Sequence, residues 1–390
     1  MDPYTDHRLR RYLSDRQGGM NRVIEERFRQ FLDELSTQNS YAIGYPMAKD
    51  FNYAFLSNFL DLPLNNLGDP FVDGHYGINT KVFEREVIDF SARHFRAPDD
   101  DYWGYVTTGG TEGNLFSLSL ARELYPDAIV LFSAATHYSV PKSCRLLRVE
   151  QRVVAAQASG EIDYDDLAQQ LQTLRSRPIV IVANIGTTMT EAKDDVTRLR
   201  TVLRETGIER HFIHADAAFC GPFLHFSNYT GGFDLGHGAD SITFSGHKFI
   251  GAPMPCGLVL TRKSLSERAR QDVPYIGGAD STLGGSRNAL AVMCLWFAIH
   301  QLGVNGFETR FRDAEAKARF LQAALCDLGI RAWRNPQALT VVFPPLPVEL
   351  QSKWHLAVDH QHAHVVVMPN TPMTILDEFV NDVQGFARSR

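Results

Sequence analysis

Residues 179–218, IVIVANIGTTMTEAKDDVTRLRTVLRETGIERHFIHADAA, decide the fold. The run IVIVANIG (179–186) reads as a buried strand, residues 195–206 as a helix ended by Gly207, and HFIHAD (211–216) as a second strand. Parallel neighbours in a sheet need a crossover, and a strand, a helix and a strand in this order supply one. The alternation continues on both sides. Upstream, Phe83, Val87, Phe90 and Phe95 fall at helical spacing, and a second helix runs from Gly113 to Tyr125. AIVLF (128–132) and RVVAA (152–156) read as strands. A helix from Tyr164 to Leu174 follows, with Asp165 and Asp166 in its first turn, where the helix dipole favours acids. Downstream, SITFS (241–245) and GLVLT (257–261) complete the set. The expected class is α/β, a mostly parallel sheet with helices on both faces.

The flanks read differently. Residues 20–37 place Val23, Phe28, Phe31, Leu32 and Leu35 near helical spacing, an amphipathic N-terminal helix. The Gly-, Pro- and Asn-rich stretch from Gly44 to Thr80 reads as ordered loops. After Arg287 a helix near 290–302 leads into a longer one at 307–328, then strands at 339–343 and 364–368 and a last helix at 374–387. The expected division is an N-terminal helical and loop segment (1–60), a large domain (61–285) and a small C-terminal α+β domain (286–390).

Composition narrows the function classes. A chain of 390 residues, 44% hydrophobic and 22% charged, buries enough surface to fold without disulfides or a structural metal. Thirty-nine basic residues against 45 acidic ones give a net charge of −6, which argues against a broad nucleic-acid surface. The opening MDPYTDHRLRRYLSDRQGG has no apolar core of a secretory signal, and no run approaches the roughly 18 apolar residues of a membrane span. The five cysteines are scattered with no CxxC pair, so neither a zinc site nor a disulfide framework is expected. The expectation is a cytoplasmic protein without membrane, nucleic-acid or metal partners.

Four short segments carry chemistry. SGHK (245–248) follows a strand and precedes FIGAPMPCG. A lysine at a strand end is usually solvated, but Lys248 among Gly, His and small residues can lie in a closed site, where its amine forms a Schiff base with a carbonyl. In HADAA (214–218), Asp216 ends an apolar strand, where open α/β sheets place ligand-binding residues. An N-cap or a metal ligand is the plainer reading, yet the two alanines after it leave room for a flat ring. TTGGTEGN (107–114) opens a helix with Gly109, Gly110 and Thr111, whose backbone N–H groups form an anion site, although such turns are often only turns. In THYS (136–139), His137 follows a strand and would by itself be structural. Taken together, the four ask for a planar aldehyde with a phosphate and a ring nitrogen. Pyridoxal phosphate needs a lysine, a carboxylate, an anion nest and an aromatic lid.

GGTEGN, THYSV, NIGTT, HADAA and SGHKFIGAPMPCG, with GSRN at 285–288, resemble the group II pyridoxal-phosphate amino-acid decarboxylases of fold type I. Within them the chain is similar to bacterial histidine decarboxylases and plant serine decarboxylases, from about Tyr41 to Asp382. The resemblance implies a seven-stranded large domain of the PLP-dependent transferase-like fold. It implies Lys248 as the cofactor lysine, Asp216 on the pyridine nitrogen, His137 stacked on the ring and Ala218 on the opposite face. Thr188 would lie near the phenolic oxygen, and Gly109, Gly110, Thr111, Ser245 and His247 would hold the phosphate. Tyr275, in PYIGGADSTLGG, matches a mobile-loop tyrosine that returns a proton to the product, and Tyr45 of GYP matches a substrate-pocket position. The family is an obligate homodimer whose site lies at the subunit interface.

The activity implied is α-decarboxylation of an L-amino acid to carbon dioxide and a primary amine. NNLGDPF (65–71), YGINTKVFE (76–84) and AHVVVMP (363–369) lean toward the serine enzymes, whereas GYP, WGYVT, EIDYDDL and WRN are shared with the histidine enzymes. Both relatives usually read GSRNGH, and here Ala289 and Leu290 follow Asn288. Alanine or another small amino acid as substrate, an aldehyde-forming relative and a non-catalytic cofactor-binding protein are the alternatives.

Overall fold

The computed structural model describes residues 22–388. The stretch 1–19 and the first two residues of the expected N-terminal helix lie outside them. Helix α1 (Arg22–Tyr41) runs longer than its apolar spacing suggests. Phe28, Phe31, Leu32 and Leu35 remain 45–63% exposed on it, so no described residue of the chain covers that face.

Helix α2 (Lys81–His94) leads into strand β1 (Trp103–Thr107) and helix α3 (Gly110–Leu124). Then come β2 (Ile129–Ser133), α4 (Ser139–Leu147), β3 (Glu150–Val154), α5 (Tyr164–Gln172), β4 (Ile179–Asn184), α6 (Val196–Glu205) and β5 (His211–Asp216). Strands β6 (Ser241–Ser245) and β7 (Gly257–Thr261) finish the large sheet. Its order is β1-β7-β6-β5-β4-β2-β3, with β7 antiparallel to both neighbours and the other pairs parallel. The seven-stranded, mostly parallel α/β architecture is therefore present. Its edge strand β1 was not among the six strands read from apolar runs, because WGYVT mixes glycine and aromatics in five residues.

Alternation along the strands explains the two-sided core. Ile129, Leu131, Ile179, Ile181, Ile213 and Ala215 face one side with Leu167, Leu199 and Leu203 of α5 and α6. Val130, Phe132, Val180, Val182 and Phe212 face the other with Leu118, Val140 and Cys144 of α3 and α4. A period of two with both faces apolar is what a sheet sandwiched between helices requires. Side-chain caps set the starts of α5 and α6: Asp163 accepts from the N–H groups of Asp165 and Asp166, and Asp195 from those of Thr197 and Arg198.

The hairpin β8 (Gln271–Val273) and β9 (Gly278–Asp280) precedes helix α7 (Ala289–Asp327), which Asn288 caps through the N–H of Ala291. The two helices read from the sequence meet in α7 at Gly303, whose φ of 57° and ψ of −178° break it. By length and composition α7 could cross a membrane, but Leu295, Phe307 and Phe311 on it pack in the large core and Leu321 and Leu325 in the small one. The small C-terminal domain adds β10 (Thr340–Phe343), α8 (Val348–Lys353), β11 (Ala357–Val358), β12 (Ala363–Val366) and α9 (Met373–Arg388), its strands ordered β10-β12-β11. Glu191 pins this domain to the sheet: its Oε2 accepts from Leu339 N (2.9 Å), Thr340 N (2.8 Å) and Thr340 Oγ1 (2.7 Å).

Candidate active site

Strands β1, β2, β4, β5 and β6 point the same way, so Thr107, Ser133, Asn184, Asp216 and Ser245 end at one edge of the sheet. The chemistry-bearing segments all leave from that carboxyl edge, where open α/β sheets bind ligands. Gly109 closes the turn after β1 with φ of 143°, a conformation that favours glycine. A Cβ there would lie 3.6 Å from His247 Cε1, and one on Gly110 would lie 3.0 Å from Ser245 Oγ and 3.4 Å from Ala218 Cβ. Residues more than a hundred positions apart thus line one small hollow. Gly110 and Thr111 begin helix α3, and the first N–H groups of a helix have no intrahelical acceptor.

Lys248 lies in a π-turn, Gly246–Ile250, at φ −91° and ψ −110°, outside helical geometry. Its carbonyl accepts from Ala48 N (3.2 Å), which lays the segment after Tyr45 against the lysine. Burial lowers its pKa from the usual lysine range, and the Asp216 carboxylate partly opposes that shift. The side chain is partly buried, and among the described residues its amine makes no hydrogen bond.

Asp216 is 7% exposed. Its Oδ2 accepts from Asn114 Nδ2 (2.7 Å) and its Oδ1 from Ala218 N (3.2 Å). His137 is half-buried, with Nδ1 2.8 Å from Ser139 Oγ, and Ser139 Oγ accepts from Asn114 Nδ2 (2.9 Å). Burial lowers the His137 pKa, Asp216 raises it and Lys248 lowers it further, so all three groups share one electrostatic neighbourhood. His247 packs on the backbone of Cys256, its Nδ1 2.8 Å from the carbonyl oxygen, and burial lowers its pKa too.

Three of the expected residues stand further out. Thr188 is exposed on the loop after β4, a loop that starts beside Asp216 through the bond from Ile185 N to Asp216 O (2.8 Å). Tyr45 is 52% exposed, next to Gly44, whose carbonyl lies 3.1 Å from His364 Nε2. Tyr275 is 83% exposed on the turn between β8 and β9. That turn is anchored by bonds from His75 N to Ile276 O (2.8 Å) and from Asp69 N to Ala279 O (3.0 Å). Among the described residues no hydrogen bond or ring contact joins Tyr275 to Lys248, Asp216 or His137. Ala289 and Leu290 open α7, where the Ala289 carbonyl accepts from Thr80 Oγ1 (3.0 Å) and Leu290 packs on the large core.

Sequence reasoning passed over Asn114 and His214. Asn114 ends the quoted GGTEGN motif and His214 opens HADAA, but their partners lie about a hundred residues away, and only the folded chain shows them.

The donor set fits pyridoxal phosphate. It holds a desolvated amine without a hydrogen-bond partner for the aldehyde, a buried carboxylate for the ring nitrogen with Ala218 and His137 beside it, and helix N–H groups with no side-chain cap for the phosphate. The model for the pyridoxal-dependent decarboxylase conserved domain matches residues 119–333. A histidine decarboxylase of Mesorhizobium japonicum is 49% identical over 367 residues, covering 93% of this chain and 99% of that relative. One from Acinetobacter baumannii is 39% identical over 371 residues, covering 93% and 97%. The solved L-methionine decarboxylase of Streptomyces sp. 590 superposes with a TM-score of 0.86 at 26% identity, covering 96% of each chain.

Proposed function

Since the chain belongs to the pyridoxal-dependent decarboxylase family, we propose that it converts L-histidine to histamine and carbon dioxide, with Lys248 carrying the cofactor. The chain is a carboxy-lyase whose cofactor is pyridoxal phosphate, of the histidine decarboxylase branch. The observation that carries the assignment of Lys248 is its desolvated, unpartnered amine beside Asp216. When bound, pyridoxal phosphate supplies a sink for the electron pair released at Cα.

The chain's own residues do the rest. Asp216, held by Asn114 and Ala218 N, would keep a proton on the ring nitrogen. His137 and Ala218 would hold the ring's two faces. Gly109, Gly110, Thr111, Ser245 and His247 would hold the phosphate, and Thr188 would serve the phenolic oxygen. Tyr45 belongs to the substrate pocket. Loss of the substrate carboxylate as carbon dioxide would leave an electron pair at Cα, to which the Tyr275 hydroxyl would give one proton, the phenolate then taking a proton back from solvent.

Tyr275 reaches a site by dimerisation. Its exposure on an anchored turn, together with the uncovered apolar face of α1, supports a homodimer in which each chain's turn completes the partner's site. A cytoplasmic location fits the free cysteines.

A panel of L-amino acids assayed for carbon dioxide and amine tests the substrate. L-Histidine is expected to give the highest kcat/KM and L-serine, which segments 65–71, 76–84 and 363–369 favour, the next. A best substrate that is phenylalanine, tyrosine, tryptophan or an acidic amino acid would overturn the branch and leave the chemistry standing.

Tyr275→Phe keeps the ring and removes the donor. Carbon dioxide release is then expected to continue at a reduced rate, with the amine-to-carbon-dioxide ratio under air falling below one as dioxygen diverts the unprotonated product to aldehyde. An unchanged ratio and rate would remove Tyr275 from the proton transfer. A wild type that makes aldehyde would establish the aldehyde-forming alternative.

A further inference from the structure

The side chain of Asn114 is buried, with 1% exposure, and both its amide hydrogens and one lone pair of its oxygen are taken. Nδ2 gives one hydrogen to Asp216 Oδ2 (2.7 Å) and the other to Ser139 Oγ (2.9 Å). Oδ1 lies 2.8 Å from His214 Nε2. Rotating the amide by half a turn would set its oxygen against a carboxylate, two acceptors facing each other, so the orientation is fixed.

The chemistry of the neighbours then follows. His214 is fully buried, and burial lowers its pKa to about 4, so the ring is neutral. Its Nε2–H donates to Asn114, which leaves Nδ1 to accept from Ser241 Oγ (2.8 Å) across the β5–β6 pairing. On the other arm, Ser139 Oγ accepts from Asn114 and therefore turns its own hydrogen to His137 Nδ1 (2.8 Å). The N–H of Ser139 points at the same nitrogen (3.3 Å). With Nδ1 accepting, the proton of a neutral His137 is on Nε2.

We infer that Asn114, aligned by His214 and Ser241, is a positioning residue that fixes the Asp216 carboxylate and the His137 tautomer together. The inference rests on the roles proposed above for Asp216 and His137. One amide sets both the group that holds the ring nitrogen and the group on the ring face, which gives a physical reason for an asparagine at this point of the helix. Serine or alanine would be too short to reach both arms, and a carboxylate would lack the donor.

Asn114→Asp tests this because it is nearly isosteric. Protonated, the introduced carboxyl group still donates to Asp216; ionised, it places a second negative charge against it. The pH dependence of the pyridoxal phosphate Kd on the apoprotein and of kcat on the holoenzyme are measured for Asn114→Asp, Asp216→Asn and wild type, with apoprotein melting as the check on folding. For Asn114→Asp, kcat within about tenfold of wild type is expected near pH 6, with kcat and affinity falling at least a further hundredfold and tenfold toward pH 8.5. Wild type is expected to lack that limb. A variant that parallels wild type across this range while Asp216→Asn is impaired would overturn the inference alone. A near-normal Asp216→Asn would instead overturn the role of Asp216 on which it rests. Should Asn114→Asp fail to fold, Ser139→Ala tests the other arm. There kcat is expected to fall about tenfold with the cofactor Kd within twofold, and an unchanged kcat would contradict the inference.

Discussion

Lys248→Ala is expected to lose at least about ten-thousandfold in kcat, about 5 kcal/mol of barrier, while still binding pyridoxal phosphate. The two halves of that expectation come from different parts of the structure. Covalent attachment is assigned to the Lys248 amine, which burial desolvates and which makes no hydrogen bond among the described residues. Non-covalent retention depends on the hollow between Gly109, Gly110, Ser245 and His247 and on Asp216, none of which the substitution touches. Lys248 also sits in a backbone conformation outside the helical region, so alanine can occupy it without a larger penalty than lysine. The measurement is single-turnover and steady-state carbon dioxide release, alongside equilibrium dialysis of the cofactor. Substantial turnover by the variant would show that another amine carries the cofactor.

Asp216→Asn is the second large effect. Asparagine keeps the shape and can still accept from Asn114 Nδ2, so the protein is expected to fold and retain some cofactor. What it lacks is the negative charge that keeps a proton on the ring nitrogen. The expected loss in kcat is on the order of a thousandfold, about 4 kcal/mol of barrier. Near-normal turnover would mean that a different acid holds that nitrogen.

Much of this was legible in the chain because the signals were local. HFIHAD, SITFS and GLVLT coincide residue for residue with β5, β6 and β7, since short apolar runs bounded by turns admit little else. Asp195 marks the start of α6 by the capping chemistry of its own side chain. Strand β1 escaped because its identity depends on pairing with β7, more than 150 residues away. The hairpin around Tyr275 escaped too, three-residue strands carrying no periodic signal.

The site divides along the same line. Lys248, Asp216, His137 and the glycines were nameable because each stands in a short motif at a strand end, and the fold brings them to one edge. Asn114 stood inside a quoted motif with no role attached, since its two arms and its aligning histidine are set by contacts 25 to 102 residues distant. Tyr275 was nameable by resemblance, but its position 83% exposed on an anchored turn depends on how residues 68–75 pack under the hairpin.

Folding brings Lys248 to the hollow lined by Gly109, Gly110, Ala218, Ser245 and His247, and this lysine is the one expected to carry the cofactor. Reduction of the holoenzyme with borohydride, digestion and peptide mapping test it directly. The pyridoxyl group is expected on Lys248 at one equivalent per chain, and a label on any other lysine would overturn the assignment.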